Sequence, residues 1–278
     1  MTARSRTRSL RSEEAGSKME PLTQLTDEQW FLIKDLFPWK PPSVQGGRPK
    51  ADPRACFEGI LWVLRTGARW KDLPKCFPSK STCWLRFKEW TEAGIFERAW
   101  ARLLRRKDRR LRVDWSECFA DGTFASAKKR GKRIGPTRRG KGTKIMLLVD
   151  AKGIPLAIDI EGANRNEIRL IEPLLEKCVI GKRKIQRLIY DKAADGNALR
   201  ERLHAHGIDL ICPHRRKRKR HPLQDGRKLR RYRRRWTVER TIAWLHNFRR
   251  VVTRWEYHDH LFAGFVQLAC LVIILKRF

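Results

Sequence analysis

The sequence CFADGTF at residues 118–124 is the first of three short apolar runs, and TKIMLLVD at 143–150 and PLAIDI at 155–160 follow it. Each run is bounded by glycine, proline or charged residues, which is typical of β-strands. Two further runs, RLIYD at 187–191 and DLICP at 209–213, alternate with segments of helical periodicity. Three consecutive strands followed by alternating helix and strand predict an α/β fold for this part of the chain.

The region before these strands is predicted to be helical. Apolar residues recur at helical spacing over residues 26–37, 54–65 and 79–94, and Gly67 is the expected stop of the second helix. Short helices joined by tight turns indicate a helix-turn-helix-like unit, whose last helix would face the major groove of DNA with three side chains: Lys80, Thr82 and Arg86. A small helical bundle with a solvated charged face explains the same pattern.

Charge restricts the class of partner. The 278 residues include 64 Lys and Arg against 30 Asp and Glu, a formal net charge of +34. Such an excess predicts a polyanionic partner, and nucleic acid is the natural one. A membrane is not expected, because the longest uncharged stretch, residues 261–275, has 15 residues where a spanning helix needs roughly 20.

Cysteine usage indicates the compartment. The seven cysteines form no C-x-x-C pair, which argues for reduced thiols and against a disulfide framework or a zinc site. We therefore expect a cytoplasmic protein.

Three parts are predicted along the chain. Residues 1–21 are expected to be a disordered tail in which Met19 is an alternative start, residues 22–104 a helical DNA-binding domain, and residues 105–278 an α/β domain. Two basic segments interrupt the apolar pattern, a linker and an insertion, at 105–112 and 213–230.

Two aspartates are predicted to end strands. Asp121 lies immediately before Gly122, and Asp191 ends the fourth apolar run. Carboxylates at strand ends point into the crevice where α/β sheets usually hold ligands. Asp121 is equally compatible with a simple turn residue before Gly122. Asp195 competes with Asp191, although we expect Asp195 to cap the helix predicted at 197–206.

A helix predicted from residue 232 to about 252 carries a third acid, Glu239. Four residues follow one another there at steps of 3, 4 and 7, which places them on one helical stripe: Tyr232, Arg235, Glu239 and His246. This stripe would present Glu239, flanked by a cation and a phenol, towards a site. An ordinary ion pair between Arg235 and Glu239 explains the same spacing.

With these residues in place, the sequence resembles the DDE transposases of bacterial insertion sequences, in particular the IS5-like group. Several separate motifs occur in the order found in that family and together cover about residues 22–275: LTDEQW, GRPKADPRACFEGILWVLRTGARWKDLP, FADGTF, GKGTKIMLLVDAKGIPLA, YDKAAD and YRRRWTVERTIAWLHNFRRVVTRWE. The resemblance implies a ribonuclease-H-like catalytic domain. It also implies that Asp121, Asp191 and Glu239 hold two Mg²⁺ ions, for which Mn²⁺ can substitute.

The family signature Y-x2-R-x3-E-x6-K falls on Tyr232, Arg235 and Glu239, and His246 stands where the family has its lysine. The resemblance implies that Tyr232, Arg235 and the position of His246 contact DNA. A neutral histidine at this position would donate one hydrogen bond but give up most of the charge of a lysine.

The function expected from these features is that of an insertion-sequence transposase. It would bind terminal inverted repeats through its first helices, then cleave and transfer DNA strands. Double-stranded DNA of the element ends and of the target would be its partner, on which it would form a homo-oligomer, at least a dimer. Two alternatives stay open: a catalytically impaired DNA-binding regulator, which His246 motivates, and a related nuclease that cuts but never joins.

Overall fold

The computed structural model describes residues 25–39, 50–109, 113–180, 185–215 and 226–278. The predicted tail at 1–21, with Met19, lies outside these ranges. Residues 110–112 of the predicted linker and residues 216–225 of the predicted insertion lie outside them as well.

A seven-stranded sheet forms the centre of the described chain. Its strands are β1 Cys118–Ala127, β2 Gly135–Thr137, β3 Gly140–Asp150, β4 Pro155–Gly162, β5 Arg187–Ile189, β6 Asp209–Ile211 and β7 Thr253–Arg254. Strand β3 pairs antiparallel with both β1 and β4, while β5 joins β1 in parallel and β6 joins β5 in parallel. The five predicted strands are present and helix alternates with strand after β4, but β2 was not predicted, so four strands and not three come first. Strand β1 lies in the middle of the sheet.

Strand β1 is longer than the sequence predicted. Asp121 was expected at its end, but the strand continues to Ala127 and pairs with β3 along its length, with Asp121 opposite Leu147 and Thr123 opposite Ile145. The prediction of a strand end at Asp121 is therefore wrong. The residues after Gly122 include Thr123 and Phe124, which favour extended backbone, and they find a full-length partner in β3.

Nine α-helices accompany the sheet in the described ranges, and most of them lie before its first strand or after β6 in the sequence. Their bounds are α1 Asp27–Phe31, α2 Pro53–Thr66, α3 Lys80–Glu92, α4 Ile95–Arg109, α5 Ile171–Glu176, α6 Asn197–Ala205, α7 Trp236–His246, α8 Arg249–Val252 and α9 Asp259–Leu275. The predicted helical amino-terminal region is confirmed. Helix α2 begins where the Asp52 carboxylate accepts from the backbone N–H of Ala55 at 2.8 Å, and it ends at Gly67 in the left-handed conformation, φ 69°.

The basic linker predicted at 105–112 is wrong for residues 105–109, which form the last turn of α4. This helix buries Ile95, Trp100 and Leu104 and leaves its arginines outside. The buried Lys107 ammonium donates to the backbone carbonyl of Arg277 at 2.8 Å. The long side chain thus joins the apolar face while its charge still finds a partner.

The single helix predicted from residue 232 to 252 is also wrong. Lys228–Arg235 is a 3-10 helix, and α7 begins only at Trp236. After His246 the chain turns again before α8. Side chains three residues apart eclipse in a 3-10 helix, so Arg231 and Arg234 both reach the buried Glu117 carboxylate.

Helix α9 joins the helical region to the sheet. It is apolar on all sides and buried over most of its length, as expected of a core helix. It packs against α3 and α4 and also against β4, so the buried residues of both regions form one hydrophobic core. Within the described ranges, no helix has the length and apolarity needed to cross a membrane.

Candidate active site

Asp121 lies on β1, and Asp191 lies two residues after the end of the neighbouring strand β5. Phe119 of β1 pairs with Ile189 of β5, and the two aspartates follow at two residues beyond each partner. The backbone is still extended at Asp191, with φ −75° and ψ 176°. Because side chains alternate along strands and parallel neighbours are about 4.8 Å apart, both carboxylates are brought to the same region of the sheet.

The Asp121 carboxylate is buried in a charged environment. Burial raises its pKa to about 6, and the charges of Asp191 and Glu167 add to the rise, whereas Arg235 and the backbone N–H of Gly122 oppose it. The Arg235 Nη2 lies 2.5 Å from Asp121 Oδ2, and the Gly122 N–H donates to Asp121 Oδ1 at 2.9 Å. Negative charge is therefore concentrated here and partly balanced by one guanidinium.

Arg235 also forms an ion pair with Glu239, four residues further along the chain. Its guanidinium thus bridges Asp121 on the sheet and Glu239 in the first turn of α7, whose side chain is half exposed. The predicted ion pair between Arg235 and Glu239 is present, and the same guanidinium also pairs with Asp121. Tyr232 lies one turn before Arg235 in the 3-10 helix Lys228–Arg235 and packs against the core.

Asp191 has a local structural role as well. Its Oδ1 accepts from the backbone N–H of Ala193 at 2.7 Å, which caps the 3-10 turn Lys192–Ala194. The expectation that Asp195 caps α6 is wrong, because Gly196 holds that position. The buried Asp195 carboxylate instead accepts from His214 Nδ1 at 3.0 Å and from the backbone N–H of Arg215 at 2.9 Å.

Glu167 is a fourth acid beside the site that sequence reasoning missed. Its Oε2 accepts from the Tyr190 hydroxyl at 2.9 Å, and its Oε1 accepts from Lys144 Nζ at 2.9 Å. A Cβ built on Gly122 would lie 3.1 Å from Glu167 Oε1, so this carboxylate touches the backbone next to Asp121. No spacing rule links Glu167 to Asp121, and only the folded sheet brings them together.

His246, at the end of α7, faces the same strand. Its Nε2 lies 2.9 Å from Thr123 Oγ1, two residues beyond Asp121. Burial lowers the pKa of His246, which favours the neutral ring near neutral pH. The predicted stripe therefore meets β1 at two points, through Arg235 at Asp121 and through His246 at Thr123.

The three side chains predicted to read DNA lie on α3, away from these contacts. Thr82 Oγ1 lies 2.8 Å from Ser79 Oγ at the helix start, Arg86 donates to Glu89 at 2.7 Å, and Lys80 is exposed. Residues 67–79 connect α2 to α3, a longer link than the turn of three or four residues in helix-turn-helix units. The role of these side chains in DNA recognition stays a prediction.

Comparison with known proteins supplies the family. Residues 108–274 match the family described as "Transposase DDE domain", and residues 25–100 match "Putative transposase of IS4/5 family". The chain belongs to the IS4/5 family of DDE transposases. The resemblance noted from the sequence motifs is thereby confirmed.

Two relatives of this transposase come from the insertion element IS402 of Burkholderia cepacia. The chain is 36% identical over 117 residues to "Insertion element IS402 uncharacterized 16.2 kDa protein", a match that covers 41% of this chain and 80% of that protein. It is 35% identical over 146 residues to "Putative transposase for insertion sequence element IS402", covering 50% of this chain and 65% of that protein.

A solved structure of low sequence identity shares the fold of this transposase. It is the piggyBac transposase synaptic complex with hairpin DNA, matched with a TM-score of 0.53 at 13% identity over 91% of this chain and 73% of that one. The predicted fold class, a ribonuclease-H-like sheet with an amino-terminal helical region, is confirmed.

The donor atoms at the site of this transposase suit a hard cation. Asp121, Asp191 and Glu239 offer carboxylate oxygens, the ligands that Mg²⁺ prefers. Among the described residues, no three His, Cys, Asp or Glu side chains are grouped closely enough to hold a metal ion. The guanidinium of Arg235 stands between Asp121 and Glu239, where it supplies positive charge to both carboxylates.

Proposed function

We propose that this transposase cleaves and transfers DNA strands at the ends of an insertion sequence, with Asp121, Asp191 and Glu239 as the catalytic carboxylates. One observation carries the proposal. Asp121 on β1 and Asp191 just after the end of the parallel strand β5 lie at equivalent positions, and Arg235 links Asp121 to Glu239 on helix α7. The charge of Asp191 raises the pKa of Asp121, so the two acids repel each other, and a bound cation would relieve that repulsion.

The same three carboxylates would hold two Mg²⁺ ions, with Mn²⁺ as a substitute. Metal ions bound there would stabilise the charge that develops on the attacking and leaving oxygens of a phosphodiester. Arg235 would balance the charge of Asp121 and Glu239 before metal binding, and its planar donors fit a DNA phosphate once they are released. Tyr232 would orient Arg235, and the neutral His246 ring would contribute a single hydrogen bond.

DNA recognition is assigned to the amino-terminal helices. Lys80, Thr82 and Arg86 at the exposed side of α3 would contact the terminal inverted repeats and place the element end at the carboxylates. Double-stranded DNA of the element ends and of the target would be the partner, held by a homo-oligomer of at least two chains. A bacterial cytoplasmic protein associated with the nucleoid is the expected setting.

The decisive experiment compares three isosteric variants, Asp121→Asn, Asp191→Asn and Glu239→Gln, with Asp72→Asn as the control. Asp72 is an exposed acid paired with Arg69. Nicking of a supercoiled plasmid that carries the element ends should fall by at least about 100-fold in each site variant, since metal charge stabilisation is worth several kcal/mol. DNA binding should persist in all four. Undiminished nicking in all three site variants would sink the assignment.

One observation favours a second function, that of a DNA-binding regulator without catalysis. His246 replaces the signature lysine, and its ring is engaged with Thr123 while burial lowers its pKa. Tight binding of the element ends with no Mg²⁺-dependent cleavage would support the regulator. Cleavage without any joined product would instead identify a nuclease.

A further inference from the structure

A cavity of about 370 Å³ opens where the ends of α2 and α9 meet the corner between α7 and α8. We call it the α2–α9 cavity, and its polar lining consists of Arg65, Trp244, Asn247, Lys276 and Arg277. Three of these side chains are cationic, and no carboxylate lines the cavity within the described chain. The volume is that of a small-ligand site, which typically measures about 300–1,000 Å³.

Arg65 and Arg277 are partly buried, and Arg65 and Lys276 repel each other. Burial lowers the pKa of Arg65, and burial together with the charge of Arg65 lowers the pKa of Lys276. Burial and the charge of Arg240 lower the pKa of Arg277, and the buried Asp150 offsets only part of this. Clustered positive charge of this kind is relieved by a bound anion.

The lining favours a phosphate over an aromatic base. The Trp244 ring is already covered by two guanidinium groups, with Arg240 at 4.8 Å and Arg277 at 4.9 Å from its centroid. Donors remain, because Lys276 and Asn247 are exposed and Arg277 reaches the carbonyls of residues 152 and 153 only at 3.5 and 3.4 Å. Ammonium, amide and guanidinium donors around one cavity match the oxygens of a phosphate group.

We propose that the α2–α9 cavity is a binding site for a phosphate group, with Lys276, Arg277 and Arg65 as its cationic ligands. The phosphate can belong to a DNA backbone or to a free phosphate compound, and the chemistry of recognition is the same. In its DNA form the inference rests on the proposed function. A purely structural role competes with it, since the cations also lie near the carboxyl ends of α2 and α9 and would complement their dipoles.

The test uses the full chain, with Lys276→Met as the variant and Lys129→Met as its matched control. Lys129 is an exposed lysine that does not line the cavity, so both variants lose one charge. Inorganic pyrophosphate is titrated by calorimetry, and a labelled duplex of the element end is titrated at several salt concentrations. We expect pyrophosphate affinity to fall about tenfold in Lys276→Met and to stay unchanged in Lys129→Met. Lys276→Arg should retain binding.

The salt titration identifies the source of the phosphate. If the cavity holds a DNA phosphate, the slope of log K against log salt should fall by about 0.9 more in Lys276→Met than in the control. An unchanged slope together with lost pyrophosphate binding assigns the site to a free phosphate compound. A wild-type chain that binds pyrophosphate but no DNA would contradict the proposed function and leave the cavity assigned.

Two results would overturn the phosphate site. If Lys276→Met lowers the melting temperature but binds pyrophosphate as tightly as the wild type, the cations serve the helix ends and the phosphate site is overturned. Equal loss of affinity in Lys276→Met and Lys129→Met would also overturn it, because the effect would then come from net charge alone.

Discussion

Arg235 is the residue on which the candidate site depends. Its guanidinium contacts Asp121 and Glu239 together, and the pKa of Asp121 still rises to about 6 because burial outweighs this favourable charge. Arg235 therefore offsets only part of the cost of ionising the buried Asp121 carboxylate. Divalent metal would offset more of it, and its binding to the folded chain would stabilise the fold.

Metal binding at Asp121 leads to a prediction for the melting temperature. Adding Mn²⁺ to the DNA-free chain should raise it, because a ligand at about 100 times its Kd contributes about 2.7 kcal/mol to folding. Asp121→Asn should lose most of this increase, while Asp72→Asn should keep it. Scanning fluorimetry with and without a chelator measures both. An equal Mn²⁺ response in Asp121→Asn and the wild type would contradict the assignment of Asp121 as a ligand.

Tyr190 is a second residue whose contribution can be tested, through the hydrogen bond of its hydroxyl to Glu167. Tyr190 is fully buried directly before Asp191, and its hydroxyl donates to Glu167. Tyr190→Phe should lower the free energy of unfolding by about 1 kcal/mol, because Glu167 loses a donor in a mostly buried setting. Tyr257→Phe is the control, since Tyr257 is 59% exposed. Denaturant titration that finds equal stability for both variants would show that the hydrogen bond contributes nothing.

At the scale of elements, the end of α2 is fixed by a glycine that has no room for a side chain. Gly67 has φ +69°, and a Cβ there would lie 2.9 Å from the Cβ of Arg249 at the start of α8. Gly94, between α3 and α4, has a similar φ of +66° but nothing within 4 Å of its Cβ position. A side chain at Gly94 would therefore add backbone strain alone, whereas one at Gly67 would add both backbone strain and a steric clash.

Alanine at each glycine should reveal that difference. Gly94→Ala should cost about 1 kcal/mol of unfolding free energy, the usual penalty for a left-handed alanine. Gly67→Ala should cost more, because α8 must also shift away from α2. Chemical denaturation of both variants gives the comparison. Equal losses would mean that the contact between α2 and α8 yields without cost.

Local signals explain which elements could be predicted from the sequence. Asp52 and Gly67 mark the ends of α2, and the apolar runs mark the strands, so these elements follow from short-range chemistry. Helix α4 was missed: no helix was assigned to residues 95–104, and residues 105–109 were assigned to a basic linker because they are almost entirely charged. The 3-10 helix at Lys228–Arg235 depends on the distant Glu117, which pairs with Arg231 and Arg234.

The contacts of the candidate site also divide into one that local spacing predicted and others that it could not predict. The spacing from Arg235 to Glu239 was visible in the sequence, and their ion pair is present. The contact between Asp121 and Arg235 spans 114 residues, and that between Glu167 and Tyr190 spans 23, so neither follows from helical or strand periodicity. Both depend on which strands become neighbours in the sheet, and that is a property of the whole fold.

The whole molecule combines one shared core with a large positive charge. Helix α9 links the helical region to the sheet, so the amino-terminal helices and the candidate site are parts of one packed body within the described chain. Residues that would hold DNA and residues that would cut it are thus connected through α9. The net charge of +34 destabilises the folded chain, because like charges repel each other less in the expanded unfolded chain.

Salt should therefore have two opposite effects, one on the stability of the DNA-free chain and one on its stabilisation by DNA. Raising NaCl from about 0.1 M to about 1 M shortens the screening length from about 10 Å to about 3 Å, so the melting temperature of the DNA-free chain should rise. The additional stabilisation by a DNA duplex should shrink over the same range, because counterion release drives its binding. The two melting curves should therefore converge. Scanning fluorimetry across a salt series, with and without duplex, tests this, and a DNA-free chain whose melting temperature falls with salt would show that ion pairs outweigh net repulsion in the folded state.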